Sequence, residues 1–141
     1  MSNTIRRELE IPQPPEQVWQ ALTDRQTLAQ WMFPNDFEPH VGHRFSFHVP
    51  ANPKMNFDGL VVRCEVLQCD PPSTLVFSWS AGPPVEDTRV SFRLEPAGEG
   101  TRVFFEHAGF DLSHPFGKQA LGGAEHGWAR MLKQLVEVVA K

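Results

Sequence analysis

Apolar and polar positions alternate along most of this chain, and the period changes near its end. Thr4–Ile11 reads as a first strand. Val18, Trp19 and Leu22 then share one side of a short helix opened by Pro14 and Pro15, because a first helical turn has no use for the missing N–H. Asp24 restarts the chain as an N-cap, and Leu28, Trp31 and Met32 form a second apolar stripe. Over residues 42–49, Phe45, Phe47 and Val49 alternate with Arg44, Ser46 and His48. Leu60, Val62, Cys64 and Val66 oppose Arg63 and Glu65. After the turn Asp70-Pro71-Pro72-Ser73, Leu75, Phe77 and Trp79 oppose Ser78 and Ser80. Val90, Phe92 and Leu94 return through Gly98-Glu99-Gly100 as Val103, Phe105 and His107, which predicts a hairpin with Arg93, Arg102, Phe104 and Glu106 on its other face.

Over residues 117–140 the period becomes 3.6. Leu121, Ala124, Trp128, Met131, Leu132, Leu135 and Val139 share one helical side, with His126, Arg130, Lys133 and Glu137 opposite. The pattern predicts an α+β fold in which six or seven antiparallel strands face one long helix. Strands spaced about 4.8 Å apart make a sheet roughly 30 Å across, whereas a helix with its side chains is about 10–12 Å wide. The sheet must therefore curl around the helix, and the inward residues enclose either a ligand cavity or a packed aromatic core. Gly122, Gly123 and Gly127 soften the first half of that helix, for one of two reasons: gating of the interior, or close helix-to-sheet packing.

With 141 residues the chain is expected to form one domain, needing no metal or disulfide staple. A formal charge of −4 offers no basic face to nucleic acid, so that partner is excluded. No run is apolar enough for a membrane span or a secretory signal, and a cytoplasmic location is expected. Cys64 and Cys69 on one strand stand roughly 16 Å apart, beyond the limit of about 7 Å for a bridge. Cys64 reads as a small buried residue and Cys69 as a thiol at a loop edge. The thirteen prolines fall between periodic segments, where they punctuate strands.

The opening segment from Pro14 to Trp31, the Asp70-Pro71-Pro72 turn before Leu75-Val76-Phe77-Ser78-Trp79, Gly100-Thr101-Arg102-Val103 running to His107-Ala108-Gly109-Phe110, and Gly127-Trp128 before Leu132 and Leu135 carry a resemblance. Together they resemble the family named for the activator of the heat-shock chaperone ATPase, within the START-like or SRPBCC superfamily. The resemblance implies a helix-grip fold like that of the birch pollen allergen, in the order β-α-α-β-β-β-β-β-α, with a pocket between sheet and terminal helix. It leaves function open, since that superfamily includes cyclases, lipid carriers, hormone receptors and co-chaperone domains.

On this reading a small hydrophobic, ring-containing ligand would be lined by Trp31, Phe45, Phe47, Val62, Cys64, Phe77, Trp79, Phe92, Phe105, His107, Leu121, Trp128 and Leu132. His107 points inward by strand parity. Its alternatives are to orient a ligand or act as a base, or to be a core histidine satisfied by a backbone carbonyl or water. His40, His43 and His48 lie near Asp36 and Glu38, but their spacing does not suit a metal knuckle, so no metal is expected. No motif for a nucleophile, phosphate or cofactor occurs, and no cofactor is expected. Residues 33–40 and 110–117 would form loops at the mouth. Two rival functions stay open: a polyketide cyclase or hydrolase using the same pocket, and a chaperone-associated interaction module with Phe104 on the outer face. A protein partner is not indicated, and a monomer or weak homodimer is expected.

Overall fold

In the computed structural model, which describes residues 3–56 and 58–141, the elements follow the order β1 (Thr4–Ile11), α1 (Pro15–Thr23), α2 (Arg25–Trp31), β2 (Arg44–Val49), β3 (Leu60–Asp70), β4 (Thr74–Trp79), β5 (Thr88–Ala97), β6 (Gly100–Ala108) and α3 (Gly117–Val139). A short 3-10 turn, Pro53–Met55, precedes β3. The six strands form one antiparallel sheet in the order β1-β6-β5-β4-β3-β2. Among the described residues the strand count is therefore six, at the lower end of the expected range. Consecutive strands pair from β2 to β6, and β1 closes the far side on β6.

Local chemistry sets the helix pair. Pro14 occupies the N-cap of α1 in an extended conformation, and Val18, Trp19, Ala21 and Leu22 are buried. Asp24 caps α2 by accepting from the Thr27 N–H at 3.0 Å and the Thr27 hydroxyl at 2.6 Å. These two bonds hold its carboxyl below the usual carboxylate range. Trp31 is completely buried, and its indole N–H donates to the Ala21 carbonyl at 2.9 Å, which ties the end of α2 back onto α1.

The inward faces are largely those the alternation predicts. Phe45, Phe47, Val62, Cys64, Val66, Leu75, Phe77, Trp79, Val90, Phe92, Leu94, Val103 and Phe105 are all buried. Two details differ. The paired part of β2 begins at Arg44, after Gly42 turns the chain with φ +90°. Leu60 is exposed, because it starts β3 opposite Val49 at the loop end of the hairpin. A bulge between Val66 and Gln68 leaves Leu67 as the extra residue, so parity reverses and Cys69 comes to lie opposite the inward Leu75. Both cysteines are free; Cys64 is buried and Cys69 is partly buried. Burial raises the pKa of both thiols, with Asp36 a lesser cause at Cys64 and Asp70 at Cys69.

The outer edge of β2 is not bare. Asn35 forms a bridge with Phe47, the His48 N–H donates to the Pro34 carbonyl at 2.9 Å, and the Ser46 N–H donates to the Asp36 carboxylate at 2.7 Å. The segment expected at the mouth thus lies along a sheet edge, with Phe37 turned into the core.

At the opposite side the β5–β6 hairpin turns through Gly98 and Glu99, with Ala97 opposite Gly100. Gly100 has no alternative: an added Cβ would stand 2.4 Å from the Ile11 carbonyl oxygen and 3.0 Å from the Pro12 Cα. Both of those atoms are backbone, so β1 would have to part from β6. Gly100→Ala is expected to lower stability by about 1–3 kcal/mol, in the range of other overpacking changes. A melting temperature equal to that of the wild type would show that the end of β1 yields freely.

Helix α3 packs against α1, α2 and β1. It buries Leu121, Trp128, Met131, Leu132, Leu135 and Val139, and Gln17 of α1 donates from Nε2 to the Val139 carbonyl at 2.9 Å. The burial of these side chains over the inner face makes the core continuous from sheet to helix.

Candidate functional site

All thirteen residues expected to line a site are buried and come together in the interior. They meet one another. Ring centroids lie 5.5 Å apart for Phe45 and Phe77, 5.6 Å for Phe47 and Trp79, 5.5 Å for Trp79 and Trp128, 5.2 Å for Phe92 and Phe105, and 4.5 Å for Phe105 and Trp128. Trp31 closes on Phe92 edge-on at 6.0 Å. Of the two alternatives left by the sequence, a chamber or a packed aromatic core, the described residues form the packed core. Concavities open outside it, for instance between Arg6, Ser91, Arg93 and Phe104 on the outer sheet face.

One polar chain runs through this apolar interior and links α3 to three strands. The Trp128 indole N–H, which can only donate, reaches His107 Nδ1 at 2.9 Å. The neutral ring therefore carries its proton on Nε2 and donates it to Thr88 Oγ1 at 2.8 Å. The Thr88 hydroxyl in turn donates to the Trp79 carbonyl at 2.6 Å. Trp128 belongs to α3, His107 to β6, Thr88 to β5 and Trp79 to β4. Every donor and acceptor used by this chain has its partner within the protein.

His107 is 1% exposed, and burial pushes its pKa down to about 3. The ring of Phe110 lies 4.6 Å from it, and that of Trp79 lies 5.5 Å away. At neutral pH the imidazole is thus uncharged, and both nitrogens face protein groups. In this arrangement His107 orders two tryptophans and a threonine.

Thr88 and Phe110 were not among the expected site residues. The alternation Val90, Phe92, Leu94 extended by one step toward the N-terminus would have placed Thr88 inward, and its 0% exposure bears out that parity. Phe110 follows Gly109, whose φ of +98° turns the chain back over the sheet end. Sequence alternation carries no signal for such a turn.

The other candidates lie outside the interior. His43 places Nε2 2.9 Å from the Asp36 carbonyl and Nδ1 3.4 Å from the Glu38 carboxylate, while His48 Nε2 is 3.2 Å from Ser46 Oγ. Among the described residues no three His, Cys, Asp or Glu side chains converge as metal ligands do. Phe104 does face outward, but the Arg93 guanidinium stacks over its ring at 4.3 Å. Around it run exposed ion pairs, Arg6 with Glu106 at 3.0 Å and Arg102 with Glu10 at 3.0 Å, which solvent screens. No helix among the described residues is long and apolar enough to cross a membrane.

A curled antiparallel sheet closed on a C-terminal helix, with a helix pair after the first strand, defines the helix-grip class. Residues 12–140 match the family described as Activator of Hsp90 ATPase homolog 1-like protein, and the chain belongs to that family. Among solved structures, protein MLL2253 from Mesorhizobium loti is 35% identical, over 97% of this chain and 96% of its own, with a TM-score of 0.82. CalU16 from Micromonospora echinospora is 25% identical, over 96% of this chain and 75% of its own, with a TM-score of 0.76. The Aha1 dimer from Colwellia psychrerythraea is similar in fold, at 23% identity over 96% of this chain and 95% of its own, with a TM-score of 0.78. No curated protein matches the chain.

Proposed function

We propose that this chain binds a small apolar, ring-containing molecule between the inner face of the sheet and α3. The observation that carries the reading is the convergence of aromatic rings from β2, β4, β5, β6 and α3 around one buried polar chain. Ring faces and edges offer a planar guest offset-stacked and edge-on contacts, each worth about 0.5–1.5 kcal/mol beyond its buried area. The indole, imidazole and hydroxyl of Trp128, His107 and Thr88 would orient a polar substituent on that guest if one of their bonds were exchanged for it. Membership of the helix-grip class agrees with this use of the interior. As the rings now touch one another, binding requires them to part.

The test uses 1-aminoanthracene, a neutral planar probe, titrated into the folded protein while the emission of the buried tryptophans is followed. Saturable quenching with one probe per chain is expected, together with a small molecule retained by the freshly purified protein in native mass spectrometry. Linear, unsaturable quenching and a bare protein mass would together overturn the reading.

A further inference from the structure

We infer that residues 117–127, the first half of α3, form a hinged flap that opens at Gly127 while Trp128 stays pinned. That the flap admits a ligand rests on the binding role proposed above; the hinge itself does not.

The two halves of α3 are held very differently. From Trp128 onward the helix buries Trp128, Met131, Leu132, Leu135 and Val139, and it is fastened to α1 through Gln17. Before that point Leu121 is the only side chain beyond glycine that is buried. Gly122, Gly123 and Gly127 fall in the same stretch, and a Cβ built on any of them meets nothing within 4 Å. Close packing against the sheet, one of the two explanations the sequence left open, is therefore not what these glycines serve. Each weakens the local helix about fivefold relative to alanine, and three together about a hundredfold.

The start of the flap is also poorly secured. Phe116 at the N-cap offers no side-chain bond, and the first turn carries no acidic residue but does carry Lys118, whose charge opposes the helix dipole. Residues 111–116, which lead into the flap, are exposed or only partly buried. Ala124 packs partly buried against the core, and an exposed ion pair between Arg7 and Glu125, at 3.5 Å, adds a weak tether.

The pin stands at the joint. Trp128 follows Gly127 directly, and its indole is bonded to His107 and packed 4.5 Å from Phe105. Motion of the preceding segment is thus confined to the glycine side of that bond. Lifting Leu121 with the flap would uncover the ring-lined interior without unfolding the second half of the helix.

The test compares the wild type with the Gly122→Ala, Gly123→Ala, Gly127→Ala triple variant by hydrogen exchange and by the kinetics of 1-aminoanthracene binding. In the wild type, amides of residues 121–127 are expected to exchange at least tenfold faster than those of residues 131–139. In the variant, the first-half amides slow by about a hundredfold. Equal protection of the two halves in the wild type would overturn the hinge. Probe association is expected to slow at least tenfold in the stiffened protein; an unchanged rate beside slowed exchange would overturn gating and leave both hinge and binding standing. A wild type that binds no probe removes the binding role, and the exchange data then decide the hinge by themselves.

Discussion

Acidification from pH 7 to pH 4 is expected to remove about 3 kcal/mol of folding stability through His107 alone, given an ordinary histidine pKa near 6.5 in the unfolded chain and one of about 3 in the folded protein. The folded state keeps the ring neutral, whereas below pH 6.5 the unfolded chain takes up a proton there. Stability is therefore fully present above that value and declines by about 1.4 kcal/mol per pH unit until the buried ring itself protonates near pH 3. The measurement is urea denaturation at several pH values for the wild type and for His107→Gln. Glutamine can accept from Trp128 and donate to Thr88 without titrating, and carboxylates such as Asp24 contribute equally to both proteins. Parallel stability curves between pH 6.5 and pH 4 would show that His107 is not buried and neutral as described.

The second large effect concerns Trp128, 1% exposed at the centre of the ring cluster. Trp128→Ala is expected to cost about 3–5 kcal/mol from lost contacts and the cavity left behind. To that is added the penalty of a buried His107 Nδ1 without its donor, about 1–3 kcal/mol. A protein of this size typically has about 5–15 kcal/mol in total, so the variant should sit near the edge of folding. Trp128→Phe narrows the comparison, because it keeps a six-membered ring in the cluster while removing the N–H together with the rest of the five-membered ring. Its expected loss is about 1–3 kcal/mol for the orphaned His107 Nδ1, with a smaller cavity cost than alanine leaves. Denaturant midpoints of the three proteins rank the losses, and a phenylalanine variant as stable as the wild type would mean that the indole bond contributes nothing net.

Most of the architecture was legible because its physics is periodic. Strand parity identified the inward residues of β2, β4, β5 and β6, and the change of period located α3 within a residue of its end. Events that break periodicity were not legible. The bulge at Leu67 reverses parity with no compositional mark, and it decides on which face Cys69 falls. The bridge from Asn35 to Phe47 is a pairing over long sequence distance by a segment too short and proline-bound to read as a strand.

At the site, sequence gave the residue types but not the space between them. Seven inward aromatic residues are equally consistent with walls or with filling, and what distinguishes the two is that rings of the sheet reach a ring of α3, Trp128 lying 4.5 Å from Phe105 and 5.5 Å from Trp79. His107 shows the same limit. Its parity made it inward, while its chemistry depends on which groups from α3 and β5 reach its two nitrogens.

The treatment of the sheet margins bears on how the protein behaves when crowded. Residues 34–36 occupy the hydrogen-bonding edge of β2, so a stray chain cannot extend the sheet on that side without first evicting them. The opposite margin, β1, carries Arg6-Arg7-Glu8 and Glu10, and copies stacked in register there would set arginine on arginine and glutamate on glutamate. Parallel, in-register fibril growth is therefore opposed sterically at one rim and electrostatically at the other.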